Sequence, residues 1–279
     1  MMKRIDNNVI DWEMLSRLPL DTKLAKKAAP RISDHTAENQ IATALHESIH
    51  IIYAIKHDAE VVWMEIATAA RPKKPNDRFV KGSINDDLGR GSIGVIESYS
   101  AAALFELLLD DDEDNYAATI EEKYAIESIK QHRYYNKDNI SLKFVSDNSF
   151  INSIFERIYP SGGLEKHWNT IKTVAKALLY YRTKEGYIIG HTWAICDYVK
   201  KCLPQDKVTV EQTTDFYYTI KRLSPFVKKQ NALEMKRHEK WMRENDLDTI
   251  LGIIEAKQKK ERLKQEEKEL KKSARVRTN

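Results

Sequence analysis

The chain has 279 residues, of which 42% are hydrophobic and 32% are charged, with only nine glycines and seven prolines. This composition excludes a collagen-like or low-complexity protein, and the two cysteines exclude a scaffold held together by disulfides. The 46 basic and 42 acidic residues leave a formal charge of +4, too small to predict nucleic-acid binding by itself. The scarcity of helix breakers predicts a mainly α fold.

The N-terminal segment passes from Met1 directly into polar residues, and no apolar run reaches membrane-spanning length. We therefore expect a cytoplasmic protein without membrane insertion. Cys196 and Cys202 fit a reducing compartment. Their spacing matches no common zinc pattern, which predicts two ordinary thiols on a helix.

The first 32 residues contain short amphipathic pieces interrupted by Pro19 and Pro30. Ser33 then predicts a helix start, and apolar residues at helical spacing extend the helix to about Lys56. Strand-forming residues at 60–67, a turn over 71–77 and a return strand at 78–84 predict a β-hairpin. Further helices are predicted near 93–109, 114–133, 146–158, 164–183, 189–202 and 210–222, and a long charged helix is predicted from Pro225 onward.

The middle of the first long helix carries the sequence His46-Glu47-Ser48-Ile49-His50. Residues four apart on a helix share a face, with Cβ atoms about 5–6 Å apart, so both imidazoles can bind one tetrahedral zinc ion. Glu47 points about 100° around the helix from His46, beside the metal rather than onto it. As a general base it can take a proton from zinc-bound water, whose pKa zinc lowers to about 7. The motif therefore predicts a zinc metalloendopeptidase.

A third metal ligand must come from another part of the chain. His57 would lie about 10 Å along the helix axis from His50, which is too far for a shared metal, so we expect His57 at the helix end. Acidic candidates follow the helix near 93–109, namely Asp110, Asp111, Asp112, Glu113 and Asp114. The residues alone leave these alternatives open, together with a simple solvated acidic loop.

The stretch from Ile41 to His57, followed by Val61–Ile66, resembles the peptidase domain of the FtsH-type zinc proteases. A helix rich in small residues comes next in that family, as Ser98 to Leu109 does here. The following helix of the family opens with the third ligand in the pattern Asp-Leu-x-x-Ala-Thr. Asp114 to Thr119 is similar to that pattern, so the resemblance implies that Asp114 is the third ligand. The likeness covers roughly residues 36–190.

Two features depart from the family pattern. Ile49 stands where family members usually have glycine, and the chain has no Gly-x-x-x-x-Gly-Lys-Ser/Thr phosphate loop. We therefore expect an ATP-independent peptidase that cleaves flexible or unfolded protein segments, or one that works with a separate unfoldase or adaptor. Substrate is expected to add as a strand against Val61–Ile66.

The predicted organisation is an N-terminal extension (1–35), a zinc peptidase domain (36–190), a C-terminal helical region (191–256) and a charged flexible tail (257–279). The fold class is thus a helical zinc-peptidase domain with a short β-hairpin, plus a C-terminal helical extension. The alternative function is a catalytically inactive peptidase-like module that binds a protein or nucleic-acid partner through the basic C-terminal region.

Overall fold

The computed structural model describes residues 9–68, 80–86, 93–110 and 163–245. Within these ranges the fold is mainly helical, as predicted. The elements, numbered in chain order, are α1 Trp12–Arg17, α2 Thr22–Lys26, α3 Asp34–Lys56, β1 Val61–Thr68, β2 Val80–Asp86, α4 Ile93–Leu109, α5 Trp168–Tyr181, α6 Thr192–Cys202 and α7 Val210–Asn245. Short 3₁₀ turns precede α5 and follow α6.

Two of the short amphipathic pieces in the N-terminal segment are helices, α1 and α2. Asp11 and Asp21 cap them, because each side chain accepts a hydrogen bond from a backbone N–H in the first turn of its helix. Leu15 of α1 and Ala25 of α2 are fully buried. The segment is therefore part of the hydrophobic core, where α1 packs on α5 and α2 packs on both α3 and α5.

The central element is α3, which begins after Ser33 and ends at Lys56, close to its predicted bounds. The Ser33 hydroxyl accepts a hydrogen bond from the backbone N–H of Thr36 at 3.1 Å. Residues Ala37–Ile55 are almost all buried, because α4, α5 and the β-strands pack around the helix. A helix apolar on most of its faces belongs in the interior of a fold, and α3 occupies that place.

The two strands pair antiparallel, with Met64 opposite Ile84 and Ile66 opposite Gly82. The predicted turn at 71–77 lies outside the described residues. The second edge of β1 is also used: Ile66 donates its N–H to the carbonyl of Gly186 at 2.8 Å, and Ile188 donates to Met64 at 3.1 Å. The expected strand addition of substrate against Val61–Ile66 is therefore wrong over Met64–Ile66, since the chain itself fills that edge.

The predicted break at Pro225 is also wrong, because α7 runs unbroken through this proline. Proline removes one helical N–H and crowds the preceding turn. Leu223 and Val227, on either side, are both buried in the core, which holds the backbone helical across Pro225. Tertiary packing thus overrides the local preference of this residue.

The chain divides into two compact units, Met1–Ala232 and Leu233–Asn279. The predicted boundaries at 35 and 190 both fall inside the first unit. The predicted helices at 114–133 and 146–158 and the tail at 257–279 lie outside the described residues. Cys196 and Cys202 are free thiols on α6, as predicted. Across the described ranges, no helix has the length and apolarity needed to cross a bilayer.

Candidate metal centre

The three motif residues have the largest exposed fractions in the surrounding segment of α3. Between Ala44 and Tyr53, His46, Glu47 and His50 are 7%, 6% and 8% exposed, respectively. Every other residue of this segment is at most 1% exposed. The three motif residues are thus buried, but less completely than the residues around them on α3.

The two histidine rings converge on one point. Nε2 of His46 lies 3.2 Å from Nε2 of His50, and the ring centroids are 4.9 Å apart with the planes inclined by 71°. Zinc–nitrogen bonds of 2.0–2.1 Å at a tetrahedral angle place two ligand nitrogens about 3.3 Å apart. The observed separation of 3.2 Å is close to this distance.

The other nitrogen of each ring faces a polar group on α4. Nδ1 of His46 lies at ion-pair distance, 2.9 Å, from Oε1 of Glu106, without the alignment of a hydrogen bond. Nδ1 of His50 forms a hydrogen bond with the Ser98 hydroxyl at 2.7 Å. Both partners are buried, at 8% and 3% exposure. Metal-binding histidines almost always give their second nitrogen to such an outer group, which sets the ring orientation and the tautomer. The two histidines thus have outer partners of the kind that metal-binding histidines use.

The proton positions follow from these partners. The Glu106 carboxylate favours an N–H at Nδ1 of His46, which leaves a lone pair on Nε2. If His50 likewise donates from Nδ1 to Ser98, two lone pairs face each other at 3.2 Å, an arrangement that a cation stabilises. If Ser98 donates instead, Nε2 of His50 carries the proton and donates to His46. The pair thus has a self-consistent metal-free form as well as a metal-binding form.

The described residues contain no group of three or more His, Cys, Asp or Glu side chains arranged to hold a metal ion. Asp114, the predicted third ligand, lies outside the described residues, as do Asp111 and Asp112. Asp110 ends α4 and is 4% exposed, and its Oδ2 accepts a hydrogen bond from Asn231 of α7 at 2.8 Å. The hydrogen bond from Asn231 therefore fixes Asp110, the residue that directly precedes the other acidic candidates.

His57 lies at the end of α3, as expected, and takes no part in the histidine pair. Its Nε2 is 3.0 Å from Oε2 of Glu97, which also accepts a hydrogen bond from Nζ of Lys56 at 2.9 Å. Burial opposes the charge on Glu97, but these two neighbours hold the pKa of Glu97 below its usual value. His57 therefore serves a separate polar cluster.

Sequence reasoning missed Glu106 and Ser98. A signal for Glu106 was present, since it is the one charged residue in the apolar run from Ala101 to Leu109. A lone carboxylate on a buried helix requires a partner, because an unpaired buried charge is costly. That its partner is His46, one of the motif histidines, depends on how α4 packs against α3.

Comparisons with protein-family models, curated proteins and solved structures give no match to this chain. The likeness to FtsH-type peptidases therefore remains a prediction from the motif and its flanking residues.

Proposed function

We propose that the protein is a zinc-dependent endopeptidase that hydrolyses peptide bonds in flexible or unfolded protein segments. The observation that carries the proposal is the 3.2 Å separation of the two histidine Nε2 atoms. The Nδ1 atom of each ring faces a polar side chain of α4. His46 and His50 would hold the zinc ion, together with a third ligand from the acidic residues that follow α4. We propose Asp114 as this ligand, on the resemblance to the FtsH-type peptidases. Zinc bound there supplies a Lewis acid that lowers the pKa of water and polarises a carbonyl oxygen.

We assign the role of general base to Glu47. It follows His46 directly on α3, and like the two histidines it keeps a small exposed fraction, 6%. Its carboxylate takes one proton from the attacking water as the oxygen bonds to the scissile carbonyl carbon. The same group then gives that proton to the departing nitrogen as the C–N bond breaks, so that the products are an amine and a carboxylic acid, which releases its remaining proton to solvent at neutral pH. General acid–base help of this kind contributes about 10²–10⁴ in rate.

Metal content gives the first test. The wild-type protein is expected to bind about one zinc ion per chain, and His46→Ala is expected to lose it. His57→Ala is the matched control on the same helix, because His57 pairs with Glu97 and not with the motif. Zinc content that is unchanged in His46→Ala would contradict the proposed centre.

Cleavage of an unstructured protein gives the second test. Glu47→Gln is expected to retain zinc and to lose activity by about 10² or more, because the amide cannot accept the proton. Activity that is unchanged in this variant would overturn the mechanism. A metal-free wild-type protein that binds DNA in a salt-sensitive manner would instead support the inactive binding module.

A further inference from the structure

Tyr99 of α4 lies beside the histidine pair on the His50 side. Its ring meets the His50 ring edge to face, with centroids 5.5 Å apart and planes inclined by 73°. Tyr99 follows Ser98, whose hydroxyl is 2.7 Å from His50. The position of the tyrosine is therefore set by the same turn of α4 that orients His50.

Tyr99 is partly exposed, whereas its neighbours Ser98 and Ser100 are buried at 3% each. Val95, one turn earlier, is also partly exposed. Residues four and seven apart lie on one face of a helix, so Val95, Tyr99 and Glu106 share a face of α4. Glu106 of this face lies 2.9 Å from His46, and the Tyr99 ring lies beside His50, so this face of α4 meets both motif histidines.

The part of this face next to His50 is uncharged. Between Ile93 and Phe105, α4 carries a single charged residue, Glu97. That carboxylate is occupied by Lys56 and His57. A substrate side chain beside His50 on this face would therefore meet the aromatic ring of Tyr99, with Val95 one turn earlier on the same face of α4.

We propose that Tyr99, together with Val95, is a specificity-determining wall of the substrate cleft. It selects protein segments that have an aromatic or large aliphatic side chain next to the cleaved bond. This inference rests on the proposed peptidase function. Aromatic pairs contribute beyond their buried area, enough to change relative affinities by about fivefold. An uncharged wall gives no such gain to an acidic or a glycine-containing segment.

The test compares matched peptides that differ at one position, Phe against Gly, beside the cleaved bond. Tyr99→Ala is expected to lower the Phe-to-Gly ratio of kcat/KM by about fivefold, and Tyr99→Phe to retain it because the ring remains. Zinc content is expected to stay at the wild-type level in both variants. Tyr218→Ala on α7 is the control, since Tyr218 is 68% exposed. Binding of fluorescently labelled forms of the same peptides is measured in variants that also carry Glu47→Gln, so that the ratio of the two affinities is obtained without cleavage.

The outcomes separate the two proposals. Cleavage by the wild-type protein with the same Phe-to-Gly ratio in Tyr99→Ala overturns the inference alone. A zinc-loaded wild-type protein that cleaves no peptide overturns the peptidase function, and the inference with it. The inference is supported if the Phe-to-Gly ratio falls in Tyr99→Ala and stays at the wild-type value in Tyr99→Phe, in both the binding and the cleavage measurements.

Discussion

The carboxylate of Glu106 lies 2.9 Å from Nδ1 of His46, whereas the other ring nitrogen, Nε2, faces His50. This contact joins α3 and α4 at one of the two motif histidines. It makes α4 a structural part of the proposed metal centre, although α4 carries neither motif histidine.

Glu106→Gln is expected to weaken zinc binding by about 10–100-fold, because it removes the negative charge that lies beside Nδ1 of a proposed metal ligand. The affinity is measured by competition with a chromophoric chelator. Glu97→Gln is the matched control on the same helix, since Glu97 pairs with Lys56 and His57. Equal affinities for the two variants would show that Glu106 does not orient the ligand.

Ser33→Ala is expected to destabilise the protein by about 1 kcal/mol, because the backbone N–H of Thr36 loses its capping acceptor. Urea unfolding provides the measurement. Ser16→Ala is the control: its exposed hydroxyl donates to the Glu13 carbonyl within α1, so a change within about 0.5 kcal/mol is expected. A Ser33 variant as stable as the wild-type protein would contradict the importance of this cap for α3.

Arg182 is a buried cation at the end of α5 that joins three elements. Its guanidinium donates to the carbonyl of Ala25, to Oε1 of Gln40 at 2.7 Å and to the carbonyl of Ile66 at 3.3 Å. Arg182→Met is expected to cost about 3 kcal/mol of unfolding free energy, because it leaves buried acceptors without donors. Adding Gln40→Leu is expected to recover part of the loss in denaturant unfolding. If the double variant loses as much unfolding free energy as the two single variants together, the result would contradict a direct hydrogen bond between Arg182 and Gln40.

Cys196 and Cys202 are expected to differ in reactivity, because Cys196 is 4% exposed whereas Cys202 is partly exposed. Burial raises the pKa of the Cys196 thiol to about 11, and only the thiolate form attacks a disulfide reagent. At pH 8, Cys202→Ser, which keeps Cys196, is expected to react about tenfold or more slowly than Cys196→Ala. Equal rates would show that Cys196 is not shielded in the folded protein.

The same pKa predicts a pH window for stability. The folded thiol keeps its proton up to about pH 11, whereas the thiol of an unfolded chain ionises near pH 9.0. The contribution of the neutral thiol is thus fully present below pH 9 and is lost as pH rises toward 11. Wild-type unfolding free energy is expected to fall between these values by more than that of Cys196→Ala. A parallel pH dependence of the two proteins would contradict this assignment.

Much of the local structure could be predicted, since α3 and α4 lie close to their expected bounds. Their helical spacing of apolar residues and the cap at Ser33 are local signals. The N-terminal helices and the continuity of α7 through Pro225 could not be predicted. Both depend on buried contacts with distant elements, as the burial of Leu15 and Leu223 shows.

The sequence by itself determined the His46–Glu47–His50 motif and its presentation on one helix, because four-residue spacing is intrinsic to α-helical geometry. Only the tertiary structure decided which groups hold the two rings. Glu106 and Ser98 lie 60 and 48 residues from their histidines and reach them because α4 packs against α3. Packing likewise decided that the second edge of β1 is filled by the chain around Gly186. Such partners depend on the arrangement of whole elements, and no local pattern of residue types encodes that arrangement.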